Sequence, residues 1–392
     1  MKILFPTPVL YDGNDARYLA RDGARFAKCL IDHGHRGIKI VLAPETAVES
    51  PRSPLLAMGT FRQWLTPDYW RSFGADGALC YFGLSSRRFL PVVRAMMNAG
   101  LRLALKMDSP DGVFVRRFPT MLDFSKLFWK YRERFSTPKA TFLASASLFR
   151  RTICPWRKSM QPFLESFAYI TAESPMAVNN TVEWCKRNHA PNLAERVDFL
   201  PHPVPDEFMP PCGNQMKRPI VLAVALNWDN PRKGGPIAAG ALQRFLNNQS
   251  DWSAVVVGQN AEKIAKAAGP RASHFARMSS EQILPLYQSA RIFFTPSGFE
   301  SGPIVVFEAA ACGCSIVFPP QLEHLSWILD VGMGTMSKTR TCSSLASALE
   351  TEAAHWLGNP NRFRNATVPL LTVSKTTERL FQALFELGNH AT

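Results

Sequence analysis

The feature that most constrains this chain is an alternation of short apolar runs with helically spaced segments, carried through twice. In the first half the runs at 3–5, 37–42, 77–82, 102–107 and 168–172 read as strands. Between them, 17–33 offers Leu19, Ala24, Phe26, Ala27 and Leu30 to one helical face, and 88–98 does the same with Phe89, Val92, Val93, Met96 and Met97. Strands separated by helices pair in parallel and need both faces covered, which explains why the runs are apolar throughout rather than alternating. The series halts at Pro201, Pro203, Pro205, Pro210 and Pro211, which read as a linker because proline denies helix continuation. It resumes with strands at 220–225, 252–257, 292–295 and 315–318 and helices near 235–247, 281–289 and 304–311. Since a single core rarely grows beyond roughly 250–300 residues, 392 residues arranged this way predict two consecutive doubly wound α/β domains.

Composition narrows the function classes. An apolar fraction of 46 % with 19 % charged residues belongs to a packed protein, and no apolar run reaches the length of a bilayer-spanning helix. The stretch 2–10 reads as a strand rather than a signal sequence, its apolar run being broken by Pro6 and Pro8, so a cytoplasmic location is the expectation. The eight cysteines are scattered without metal-ligand spacing and read as reduced, mostly buried thiols; Cys312 and Cys314 flank Gly313 where small residues pack. Positive charge is concentrated in 113–160, where eleven basic side chains face only Asp123 and Glu133. Within it, a helix over 121–135 sets Phe124, Leu127, Phe128, Tyr131 and Phe135 on one face, with Lys126, Lys130 and Arg134 elsewhere. Such a helix suits an anionic membrane surface at the inner face, a domain core with a basic rim, or a polyanionic acceptor. Nucleic acid is not expected, because no binding module accompanies the charge.

Open parallel sheets bind ligands outside the carboxyl ends of their strands. That singles out the loops 11–15, 106–112, 226–235 and 295–308. The last joins a strand to a helix through Ser, Gly and Pro residues, bringing backbone N–H groups and a helix N-terminus to one point suited to phosphate. From 292 to 322 the only charged side chains are Glu300 and Glu308; burying carboxylates without partners is costly, so both are expected to face a polar ligand.

The run Pro296-Ser297-x-x-Glu300, seven further residues, then Glu308-Ala309-x-Ala311-x-Gly313 is similar to the donor-site signature of retaining glycosyltransferases of family 4. Segments 273–282 and 284–290 resemble the strand and helix preceding that signature, 225–234 its phosphate-contacting loop, and 200–206 its interdomain connection. The resemblance covers 165–320 with specific motifs and is mainly topological before residue 110. It implies the GT-B fold: two Rossmann-like doubly wound domains facing a central cleft, an acceptor domain at 1–204, a donor domain at 205–370, and a C-terminal helix at 371–392 crossing back to the first domain. It further implies that Glu308 holds the ribose of a nucleotide sugar, that Glu300, Ser301 and the amides of Gly302 and Ile304 orient the sugar and diphosphate, and that Lys233 neutralises the diphosphate without a metal or cofactor. The arginine usually paired with that lysine falls at Asn227 or Trp228, and Arg232 is the expected substitute; Pro303 lacks an N–H where the family commonly has glycine. In the first domain Asp108 would contact the sugar or the acceptor, although Asp-Ser-Pro-Asp-Gly is also an ordinary turn, and Gly13 resembles a shortened phosphate-approaching loop with the same alternative. His202 reads as a linker residue. The implied reaction is transfer of a hexose-type sugar to a hydroxyl of a glycan, a lipid-linked glycan or a small molecule. A sugar-nucleotide epimerase and a non-catalytic binding or scaffold subunit are the other readings.

Overall fold

The computed structural model describes residues 1–15, 22–32, 34–44, 49–82, 86–107, 109, 112–113, 120–153, 157–211, 216–359, 361, 375, 378, 379 and 382. The chain divides into two compact units. One comprises Met1–Val115, Cys154–Pro203 and Leu371–Thr392; the other comprises Arg116–Ile153 and Val204–Leu370.

The first unit is built on a parallel sheet of β1 (Lys2–Leu10), β2 (Arg36–Leu42), β3 (Leu56–Gly59), β4 (Gly77–Cys80), β5 (Arg102–Met107), β6 (Tyr169–Ala172) and β7 (Val197–Phe199), in the order β3-β2-β1-β4-β5-β6-β7. The chain winds outward from β1 to β3, then returns to lay β4 on the other side of β1, so the direction of winding reverses there. Trp64, Trp70, Phe82, Phe89, Val92, Val93 and Met96 fill the core on one face, and Phe5, Phe26, Ala27 and Leu30 that on the other. β1 runs longer than its apolar pattern predicts and takes in both prolines: Pro6 is paired with Ile40 and its carbonyl accepts from Tyr81 N at 3.0 Å, and Pro8 lies within the register shift between Thr7 and Leu10.

The second unit repeats the plan with β8 (Arg218–Asn227), β9 (Ser253–Gln259), β10 (Ala272–Phe275), β11 (Ala290–Phe294), β12 (Ser315–Phe318) and β13 (Gly334–Met336), ordered β10-β9-β8-β11-β12-β13 and all parallel. Helices Gly235–Asn248, Ala261–Ala268 and Cys342–Gly358 cover one face, closing a core of Phe245, Trp252, Ile292, Phe294, Leu349 and Trp356. The winding reverses between β8 and β11, and a reversal point of this kind opens a crevice at the carboxyl ends of the two strands.

Three expectations are corrected. The excursion Arg116–Ile153 was expected in the N-terminal domain but groups with the second unit, because helix Met121–Arg132 is tied to it by side chains. Lys126 Nζ lies 2.9 Å from Glu323 Oε1, and Gln321 Nε2 donates to Ser125 Oγ at 3.2 Å. Lys126, expected on the solvated cationic face of that helix, is buried instead, while Lys130 and Arg134 stay exposed, and among the helix's apolar residues only Leu127 is fully buried. Finally, the proline stretch is no solvated linker. Leu200, His202, Val204 and Phe208 are buried, and His202 Nε2 sits 2.7 Å from Glu173 Oε1, whose other neighbour is Lys106 Nζ at 2.5 Å. Lys106 is the penultimate residue of β5, while Glu173 and His202 follow β6 and β7, so three adjacent strand ends are joined through one buried carboxylate. Burial pushes that carboxyl up, but His202 and Lys106 pull harder and hold it at about 2. The C-terminal helix expected near 374–387 falls mostly outside the described residues; Arg379 is described and pairs with Asp198 at 2.6 Å. Among the described residues no helix is long and apolar enough to cross a membrane.

Candidate functional site

The loop after β8 is wound tightly by two asparagines. Asn227 Oδ1 accepts from Asp229 N at 2.9 Å and Asn230 Oδ1 from Arg232 N at 3.0 Å, side-chain turns that asparagine forms readily. Trp228 anchors the loop, its ring buried and its Nε1 donating to Val257 O at 3.1 Å. Neither Asn227 nor Trp228 therefore supplies a cation. Lys233 N donates to Asn230 O at 2.9 Å, and Gly234 follows at φ +73°, a left-handed conformation that glycine adopts without strain, before helix Gly235–Asn248 begins.

The loop after β11 approaches from the neighbouring strand. Thr295 N continues the sheet by donating to Val317 O at 3.0 Å, and Gly298 N then donates to Arg232 O at 2.8 Å, stapling the two loops together. Glu300 lies 2.5 Å from Lys233 Nζ and is hydrogen-bonded by Ser297. Burial raises its pKa, yet Lys233, Arg232 and Ser297 outweigh that and hold the carboxyl below its ordinary value, so it is ionised at neutral pH. Ser301 and Gly302 lead to Pro303, the N-cap of helix Ile304–Ala311. A proline here loses nothing to the helix, whose first N–H groups have no intrahelical acceptor in any case. One turn on, Glu308 is buried and accepts a 3.4 Å hydrogen bond from Tyr287 Oη. Its proximity and burial together drive the tyrosine hydroxyl far above its ordinary range, so it stays a donor.

Glu300, Ser301, Gly302, Ile304, Glu308, Lys233 and Arg232 thus all sit on two consecutive loop-to-helix junctions at the β8/β11 reversal. The arrangement offers a flexible cation, two carboxylates, and two helix N-termini, which is a chemistry suited to a ligand carrying both phosphate and hydroxyl groups. Of the remaining sequence-derived residues, Gly13 belongs to the first unit, at φ +84° in the loop after β1, where Asn14 N donates to Asp12 Oδ1 at 3.2 Å and Asp15 receives Ser53 N at 2.9 Å and a short bond from Tyr11. Asp108 lies outside the described residues.

Sequence reasoning missed Arg340, which follows β13. Its Nε donates to Pro296 O at 2.6 Å and its Nη2 to Arg232 O at 3.2 Å, while Trp129 of helix Met121–Arg132 lies 4.0 Å under its guanidinium. The only signal was a Lys338-Thr339-Arg340 pair of cations in a Ser/Thr stretch, which carries no spacing to read. Cys312 and Cys314 are buried thiols near Lys217, whose Nζ is taken by the carbonyls of Tyr287 and Ala290 at 2.8 Å each. Burial raises both thiols and lowers the Lys217 ammonium, as packing rather than reactivity demands.

Residues 207–322 match the family model described as glycosyl transferases group 1. No curated protein matches the chain in sequence. Solved structures share its fold at low identity. WaaG, a glycosyltransferase involved in lipopolysaccharide biosynthesis, is 14 % identical with a TM-score of 0.58, over 98 % of this chain and 99 % of that one. The UDP-forming α,α-trehalose-phosphate synthase of Burkholderia xenovorans, solved with glucose-6-phosphate, is 13 % identical at 0.58, over 98 % and 99 %. Anabaena Alr3699/HepE, solved with UDP and glucose, is 14 % identical at 0.57, again over 98 % and 99 %. The chain thus carries a segment similar to group 1 glycosyl transferases, set in a GT-B fold of two parallel-sheet Rossmann-like domains.

Proposed function

We propose that the chain transfers a hexose-type sugar from a nucleoside-diphosphate sugar to an acceptor hydroxyl, with retention at the anomeric carbon and without a metal. The observation that carries this reading is the 2.5 Å Lys233–Glu300 pair set between two helix N-termini at the β8/β11 reversal. In it, Glu308 accepts both ribose hydroxyls. Lys233 turns from Glu300 to the diphosphate, and Arg232 adds to the positive field. Glu300, freed of its lysine, accepts hydroxyls of the transferred sugar, while Ser301 and the amides of Gly302 and Ile304 bond the diphosphate at the mouth of helix Ile304–Ala311. As the bond from the anomeric carbon to the diphosphate oxygen breaks, negative charge grows on the leaving group, where preformed donors and cations stabilise the transition state more than the ground state. A second bond forms from the same carbon to the acceptor oxygen, whose hydroxyl proton passes to the departing diphosphate oxygen; Asp108 is assigned to the acceptor side. One solved structure of similar fold was obtained in complex with UDP and glucose, which supports a nucleotide sugar as the donor class.

The acceptor in this reading is a glycan or lipid-linked glycan, reached at the cytoplasmic face of an anionic membrane. Helix Thr137–Ile153 leaves Phe142 and Phe149 exposed on a segment rich in Lys and Arg, a combination that favours such a surface. The test is incubation with individual nucleotide sugars and an acceptor mixture, following nucleoside diphosphate release and the anomeric configuration of the product by NMR. Transfer with retention supports the proposal. Release of free sugar alone, epimerised nucleotide sugar, or inversion in the product would overturn it.

A further inference from the structure

Arg340 occupies a place that the proposed donor chemistry does not itself require. It precedes Thr341, the N-cap of helix Cys342–Gly358, whose hydroxyl accepts from Ser344 N, and it follows Ser337, whose N–H donates to Phe318 O at 2.9 Å. Its backbone is therefore fixed by a strand end and a helix cap. From that fixed base the guanidinium reaches both site loops at once, taking Pro296 O from the loop of Glu300 and Arg232 O from the loop of Lys233. Arg232 O is also the acceptor of Gly298 N at 2.8 Å, so one carbonyl joins all three segments.

The opposite side is closed by the excursion helix. Trp129 stacks under Arg340, and its ring lies so close to Gly298 that any Cβ there would collide with it. Lys130 Nζ stands 5.6 Å from the centre of the Phe299 ring, and Glu133 Oε1 lies 3.5 Å from both Arg232 Nη2 and Asn230 Nδ2. Gly234 completes the fit, since a Cβ there would stand 2.5 Å from Arg340 Nη2.

We propose that Arg340, held flat by Trp129, is a positioning residue that sets the separation of the two diphosphate-binding loops and so brings Lys233 and Glu300 to one point. The proposal rests on the donor reading given above. Arginine suits the task because its planar fork serves two carbonyls while its face stacks on an indole, which an ammonium cannot do. Burial lowers its pKa to about 10, which leaves it charged at neutral pH.

The test measures two things on the full chain: amide hydrogen exchange without ligand, and affinity for UDP, GDP and ADP. In Arg340→Ala the amides of 228–234 and 295–303 should exchange faster while those of β8 and β11 keep their protection. Affinity for whichever diphosphate the wild type binds should fall roughly tenfold or more, as for loss of a charge-assisted hydrogen bond. Its donor KM should rise accordingly with kcat changing less. Arg340→Lys, which keeps the charge, should resemble Arg340→Ala within about threefold, whereas Trp129→Phe, which keeps a flat ring, should stay near wild type. Wild-type affinity in Arg340→Ala, or full rescue by lysine, would overturn the proposal. Unchanged loop exchange would overturn it even if no diphosphate binds the wild type, and absence of any binding with faster loop exchange would instead refute the donor role.

Discussion

Replacing Glu173 with glutamine should destabilise the first unit more than any surface substitution could. The carboxylate joins the ends of β5, β6 and β7, with Lys106 Nζ at 2.5 Å and His202 Nε2 at 2.7 Å, and Lys106 is wholly inaccessible to water. The fall of its pKa from 4.5 to about 2 is equivalent to about 3 kcal/mol of stability at neutral pH. Because the folded value lies below the unfolded one, that contribution is complete above about pH 5 and is lost as pH falls from there toward 2. Glutamine removes it and leaves the Lys106 ammonium buried without a counter-charge, a change that typically costs about 3–5 kcal/mol. Hydrogen exchange at pH 7 of the amides in Arg102–Met107 and Tyr169–Ala172 reads the effect in this unit alone, which matters because a two-unit chain need not unfold in one step. The opening free energy should fall by about 3 kcal/mol or more, and Lys106→Met combined with Glu173→Gln should recover most of it. A loss below about 1 kcal/mol, the range of exposed pairs, would refute the reasoning. So would a double variant no better than the single.

Further outcomes follow from packing and charge. Gly298→Ala should cost about 1–3 kcal/mol by overpacking against Trp129, and Trp129→Ala in the same chain should relieve the clash; additive losses in a thermal unfolding series would show that the helix does not rest on this loop. Cys312 and Cys314 should resist alkylation in the native protein and react only on denaturation, with peptide mapping as the check, since burial disfavours both thiolates. Phe142→Ser with Phe149→Ser should reduce sedimentation with anionic vesicles while nucleotide affinity stays unchanged; equal sedimentation would argue against that membrane face.

The central strands were legible because burial on both faces writes itself as an unbroken apolar run: β5 and β12 match their sequence bounds, as does helix Ile304–Ala311. Short edge strands were not. β3, β7 and β13 are three or four residues long; Val197–Phe199 and Gly334–Met336 are only partly buried and carry no apolar run to notice, and the apolar Leu56–Gly59 is too short for a run to separate strand from turn or helix. The loops of Lys233 and Glu300 could be placed at strand ends from motif and spacing, because both lie within a few residues of a strong strand. What joins them could not. Arg340 and Trp129 stand far away in sequence, and a stack on a backbone-bound guanidinium has no local pattern. The same limit hid the partnership of His202 with Glu173, where neighbouring prolines suggested a passive connection. It also led the 116–153 excursion to be counted with the chain around it, since only a tertiary pair such as Lys126 with Glu323 reveals where a helix docks.

Isothermal titration of the wild-type chain with UDP, GDP and ADP in metal-free buffer tests the central claim most directly. The account predicts selective binding of one diphosphate, weakened roughly tenfold or more in Lys233→Ala and Glu308→Ala, each of which removes a charged hydrogen-bonding partner of the donor. Binding of none of the three by well-folded protein, or equal affinity in wild type and both variants, would contradict it.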